Sequence, residues 1–146
     1  MRLARRNEFA RVFRIGARAR GAVVLVVVAE NGLAHTRLGL SVGRVIWKHA
    51  VKRNRVRRVF REAFRLSYRE LPRGLDVIMI PARPKLDPKL QATCTELVDL
   101  VQRAARRLGE QRSALRIASA EEPRDRANER EPRERASERQ GRGVAR

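Results

Sequence analysis

"AVKRNRVRRVFREAFRL", residues 50–66, decides how the rest of the chain is read. Its apolar residues Val56, Val59, Phe60, Ala63 and Phe64 recur at intervals of three and four, which at about 3.6 residues per turn gathers them on one face of a helix. Arg53, Arg57, Arg61 and Arg65 rise at i, i+4 spacing along the other side, with Asn54 and Arg58 beside them. One face therefore suits a protein core and the other a polyanion. A merely solvated helix face alternates charges of both signs, whereas here only Glu62 and Glu70 dilute the series. Leu71-Pro72 ends the helix, because the residue before a proline is driven out of the helical region.

The flanking segments supply a core for that helix. Asn7 is placed as the cap of a first helix over residues 7–15, in which Phe9, Val12 and Phe13 share a face, Glu8 lies at the positive end and Gly16 supplies the stop. A basic link, "ARARG", follows. The β-branched run over residues 23–28 predicts a strand, "ENG" a turn, and the alternation of Leu38, Leu40 and Val42 a second strand over 37–42. "LDVIMIP", residues 75–81, predicts a central strand. A last helix is expected to open with Asp87 as cap and Pro88 at the first helical position, and to end against Gly109. Cys94 falls on its apolar face and reads as a core residue; Asp76 reads as a strand-edge residue. The sum is a single small α+β domain over residues 1–108, of order α-β-β-(β)-α-β-α around one four-stranded sheet, with the bracketed strand placed near residues 33–37. Residues 109–146, rich in mixed Arg and Glu and poor in large apolar residues, are expected to form a disordered tail.

The net charge of +19 is unevenly spread. Residues 1–108 hold 25 Lys and Arg against 8 acids, or +17, and residues 109–146 hold 10 Arg against 8 acids, or +2. A folded domain so charged repels itself unless a polyanion neutralises it, which puts nucleic acid first and an anionic membrane second. The apolar side of the basic helix is needed for the core, which disfavours the membrane. The longest apolar run, "AVVLVVVA", is far shorter than the ~20 residues that span a bilayer. No secretory signal is read at the N-terminus, and the lone Cys94 fits a reducing cytoplasm.

Catalytic chemistry has little to stand on. His35 and His49 are the only histidines, neither lies in a metal-ligand spacing, and HExxH, CxxC and G-x-S-x-G are absent. A two-histidine ribonuclease stays conceivable, since an acid and a base flanking a phosphodiester would suffice. Phe9 and Phe13 have two open readings: packing into the core, the ordinary fate of Phe at i, i+4, or stacking on an unpaired base. Trp47, beside Lys48 and His49, could likewise stack on a base or cover the end of the sheet.

"KRNRVRRVFREAFR", Lys52 to Arg65, closely resembles the RNR signature of the bacterial ribonuclease P protein subunit. "NEFARVFRIG", "RLGLSV" and "LPRGLDVIMIPAR" resemble family segments in the same order, so the likeness covers about residues 3–108. It implies a left-handed βαβ crossover around the signature helix, against the usual hand. It further implies that catalysis belongs to a large RNA with magnesium at the RNA active site, none held by this chain, and that the reaction removes the 5′ leader of precursor tRNA. Carried over by position, Lys52, Arg53, Asn54, Arg55, Arg57, Arg58, Arg61 and Arg65 face the catalytic RNA, and Phe9 and Phe13 border a cleft for the leader. No catalytic residue, membrane or protein partner is implied. Two departures stand out: the first strand has no aromatic, and "GRVIWKHA" carries a small insertion. The rival reading is a structural ribosomal-type RNA-binding protein with no role in cleavage.

Overall fold

The computed structural model describes residues 2, 3 and 5–121 and builds them on a mixed sheet of order β1-β2-β4-β3. Along the chain come α1 (Arg6–Ile15), β1 (Ala17–Arg20), β2 (Val24–Glu30), β3 (Arg37–Leu40), α2 (Ala50–Ser67) with a 3-10 turn (Tyr68–Glu70), β4 (Leu75–Pro81) and α3 (Leu90–Glu121). β4 is central, antiparallel to β2 along its whole length and parallel to β3. The basic helix α2 therefore forms the crossover between two neighbouring parallel strands, with β3 at the sheet edge.

Side chains alternate across a sheet, so each strand serves two cores. On one side Val24, Val26 and Val28 of β2 and Val77 and Met79 of β4 lie under Val56, Phe60 and Ala63 of α2 and Leu97, Leu100, Val101 and Ala104 of α3. On the other side Val27, Ala29 and Ile78 meet Val12 of α1 and Leu3, with Phe9, Phe13 and Ile80 at the margin. The second core is small because α1 is a short helix of 10 residues.

Several expectations need correction. Residues 17–20 are not a link but strand β1, paired with residues 25–28 of β2. Ala17 and Ala19 are buried and Arg18 and Arg20 exposed, a period of two that small alanines disguise. No separate strand forms over residues 33–36; residues 31–36 are a loop organised by Asn31, whose side chain accepts from Leu33 N–H at 2.7 Å and donates to His35 O at 3.0 Å. The cap of α1 is Arg5, its backbone N–H donating to Glu8 at 3.3 Å, and Asn7 lies inside the helix. α3 begins at Leu90, after Asp87 and Pro88, and Asp87 pairs instead with Arg55 at 3.5 Å. Nor does α3 stop at Gly109. A glycine costs a helix about 1 kcal/mol relative to alanine, and the helix formers Glu110, Gln111, Arg112, Ala114 and Leu115 that follow offset it. The chain divides into two units, residues 1–110 and 111–146; the described part of the second is helical. The rest of the expected tail, residues 122–146, lies outside the described residues.

Candidate nucleic-acid interface

Along α2 the apolar stripe is anchored by Val56, Phe60, Ala63 and Phe64, each at most 7% exposed, and this fixes which way the basic side turns. The arginine ladder then divides. Arg53 donates to the carbonyls of Trp47 at 3.0 Å and Lys48 at 2.8 Å. Arg57 donates to Val42 O at 3.1 Å and to Asn54 Oδ1 at 2.9 Å. These two guanidinium groups, half-buried, brace the loop that leads into the helix. Arg65 pairs with Glu62 one turn back, which raises its pKa above and lowers that of Glu62 below the ordinary value. Arg58 and Arg61 are exposed and, among the described residues, have no intramolecular partner. Lys52 lies over the Trp47 ring, 4.4 Å from its centroid, and Arg55 reaches Asp87 while its side chain stays 71% exposed.

The loop over residues 42–49 is tied down from both sides. Trp47 Nε1 donates to Leu86 O at 2.7 Å, and Lys85, in the left-handed region at φ 56°, donates its N–H to Ile46 O at 2.7 Å. Trp47 is thus a half-buried strut between this loop and the one before α3. His49 precedes α2 and is exposed. His35 sits in the loop ahead of β3, so the two histidines belong to different ends of that strand.

Phe9 and Phe13 are half-buried at the edge of the smaller core. Phe9 can seat on the sheet because Gly39 leaves it room: a Cβ there would lie 3.0 Å from the Phe9 ring and from Leu3. A groove of about 190 Å³ joins Arg2, Leu3 and Phe9 to Leu38, Leu40, Arg57 and Arg61 at the edge of β3, where Arg2 bridges Leu38 and Leu3 N–H donates to Leu38 O at 2.9 Å. Phe9 is therefore brought together with the arginines of α2. Phe13 is not; its ring faces Arg18, 5.9 Å from the centroid, near the margin marked by Ile80.

The placement of α1 depends on a residue whose role the sequence pattern disguises. Asp76 is no strand-edge residue; it lies on central β4, 1% exposed. Arg37 grips it with two hydrogen bonds of 2.8 Å, Asn31 donates to it at 3.0 Å, and Arg11 of α1 approaches to 3.9 Å. Arg37 also reaches Glu8 of α1 at 3.3 Å. Burial pushes the Asp76 carboxyl up, but the hydrogen bonds from Arg37 and Asn31 and the charges of Arg37 and Arg11 outweigh it and hold the group below its ordinary value. The hydrogen bond to Asp76 raises Arg37 in turn. A lone Asp inside "LDVIMIP" was the available signal, since a carboxylate in a central strand requires a cationic partner.

Fold and site define a small, basic α+β protein of the RNA-binding class. The comparisons are more specific. The family model described as Ribonuclease P matches residues 1–105. The chain is 33% identical over 102 residues to the ribonuclease P protein component of Pelotomaculum thermopropionicum and 35% identical over 107 residues to that of Thermotoga petrophila; each match covers 70% of this chain and 90% of the relative. Among solved structures, the RNase P protein from Thermotoga maritima superposes with a TM-score of 0.63 at 30% identity, over 70% of this chain and 96% of that one. The Staphylococcus aureus RNase P protein gives 0.61 at 26% identity, over 70% and 94%. The chain belongs to the ribonuclease P protein family, which disfavours the ribosomal-type alternative.

Proposed function

We propose that this chain binds the catalytic RNA of ribonuclease P through α2 and the 5′ leader of precursor tRNA through the groove beside Phe9, and so supports endonucleolytic removal of the leader. The observation that carries this is the division of labour on α2: its apolar face and Arg53 and Arg57 are committed to the fold, while Arg58 and Arg61 project unpartnered among the described residues. Guanidinium forks bind phosphate oxygens bidentately, and two of them about one turn apart suit a nucleic-acid backbone. Lys52, Asn54, Arg55 and Arg65 extend the same surface. Phe9 and Phe13, each half-buried, offer stacking platforms to an unpaired strand.

In this reading the chain contributes no catalytic side chain. Magnesium at the RNA active site, held by the RNA and its substrate, would supply the activation of water. The residues of this chain neutralise phosphates and orient the leader, which favours precursor over mature tRNA and lowers the magnesium requirement. The setting is the cytoplasm, in keeping with a single unpaired cysteine. Among the described residues no helix is long and apolar enough to cross a membrane.

The test is processing of a precursor tRNA by the catalytic RNA at low magnesium, with and without the chain. Stimulation is expected, and its absence rejects the reading. Cleavage by the chain alone, abolished on replacing His35 and His49, would instead make it a self-sufficient ribonuclease.

A further inference from the structure

A second concavity lies on α2 beyond the groove beside Phe9. Its volume is about 450 Å³, and it is lined by Arg2, Leu38, Arg61, Phe64, Arg65 and Tyr68. It shares Arg2, Leu38 and Arg61 with that groove but continues along α2 over Phe64, Arg65 and Tyr68, where neither Phe9 nor Leu40 lines it. Its floor is apolar and aromatic: Phe64 and Tyr68 pack edge to face, their ring centroids 5.7 Å apart at 66°. Tyr68 is held from behind, its hydroxyl accepting from Thr36 N–H at 3.3 Å. The rim is cationic. Arg61 has no partner among the described residues, and Glu62 fixes Arg65 through Nε and Nη2, leaving Nη1 to donate outward.

We propose that this cavity seats one unpaired nucleotide of the RNA partner, its base on the Leu38, Phe64 and Tyr68 floor and its phosphate between Arg61 and Arg65. The proposal rests on the reading of α2 as an RNA interface and adds to it a base-stacking site. Charge complementarity selects the occupant. An apolar peptide or lipid would bury its chain against the floor yet leave the cationic rim unmatched, whereas a nucleotide has both a flat apolar face and an anion. The volume lies within the range of about 300–1,000 Å³ typical of small-ligand sites. A flipped-out base costs least where the RNA is already unpaired, so a bulge or single-stranded junction is the expected source.

The experiment is a titration of the full chain, carrying labelled Leu and Ile methyl groups, with a single-stranded RNA pentanucleotide, followed by NMR. Leu38 lines both this cavity and the groove beside Phe9, Leu40 lines the groove but not the cavity, and Ile80 marks the opposite side of the sheet. The Leu38 methyls are expected to shift, and a pentanucleotide lacking bases is expected to leave them nearly still. Tyr68→Leu should weaken the Leu38 response about tenfold, since one base-on-ring stack carries roughly that factor, while Tyr68→Phe keeps it and Ile80 responds as in the parent. A response at Leu40 or Ile80 with none at Leu38, or a Leu38 response that Tyr68→Leu leaves unchanged, overturns the seat and leaves the RNA-interface reading standing; silence at all three overturns both. An equal Leu38 shift with the abasic strand would show phosphate binding without a base and also overturns the proposal. If Tyr68→Leu fails to fold, the parent titration decides: Leu38 shifting well beyond Leu40 supports the seat, and Leu40 shifting as much as Leu38 overturns it.

Discussion

The two sides of the sheet are stabilised by different means. Beneath α2 and α3 the packing is broad and hydrocarbon, with Phe60, Leu97, Leu100 and Met79 essentially inaccessible. Beneath α1 the apolar cluster is small, and the helix is also tied by ions, Glu8 and Arg11 reaching Arg37 and Asp76. The contrast separates two tasks. The broad core fixes α2 so that its arginines face one way, whereas the ion network sets α1, and with it Phe9, against the edge of the sheet at β3.

The comparison can be broken first on the hydrocarbon side. Phe60→Ala removes a ring that is 0% exposed and is expected to cost about 4 kcal/mol in denaturant unfolding. A change below about 1 kcal/mol would mean that α2 is not held by this packing. Asp76→Asn comes next, at about 3 kcal/mol, because it leaves Arg37 facing a neutral amide in a buried site. This variant also has a pH signature. A carboxyl whose folded pKa is depressed contributes stability that is full above its unfolded value, about pH 4, and is lost as pH falls through the folded value. Asp76→Asn should therefore flatten the acid limb of the stability profile, and Phe60→Ala should not.

Smaller effects sharpen the division within the ladder. Arg57→Ala gives up hydrogen bonds to Val42 and Asn54 and should cost about 1 kcal/mol, while Arg61→Ala should stay within about 0.5 kcal/mol of the parent. Equal costs would erase the distinction between bracing and projecting arginines. The smallest change is expected from deleting residues 111–146: circular dichroism should show the first unit still folded, with helical signal reduced in proportion to the deleted turns.

Much of this was legible in the sequence because it depends on local periodicity. The apolar stripe of Val56, Phe60, Ala63 and Phe64 placed α2, and the uninterrupted "DVIMI" placed β4 at the centre. β1 escaped because alanine and arginine have weak strand preference; Ala17–Arg20 is a strand by virtue of its pairing with β2. The helix stop at Gly109 overvalued one residue against the helix formers that follow it. In the site, the inward turn of Arg53 and Arg57 was not readable, since their acceptors are carbonyls of a loop whose path is set by Trp47 and Lys85. Nor could spacing join Phe9 to Arg61, whose proximity comes from the fold rather than from the chain.

The claim that the projecting side of α2 meets RNA is tested most directly by the salt dependence of affinity for the catalytic RNA, measured for the parent chain and for the Arg58→Ala, Arg61→Ala double variant. Each phosphate that an arginine ceases to neutralise should reduce the slope of log K against log salt by up to ~0.9, so the double variant should bind more weakly and with a slope shallower by up to ~1.8. Unchanged affinity and slope in a variant that folds normally would contradict the account.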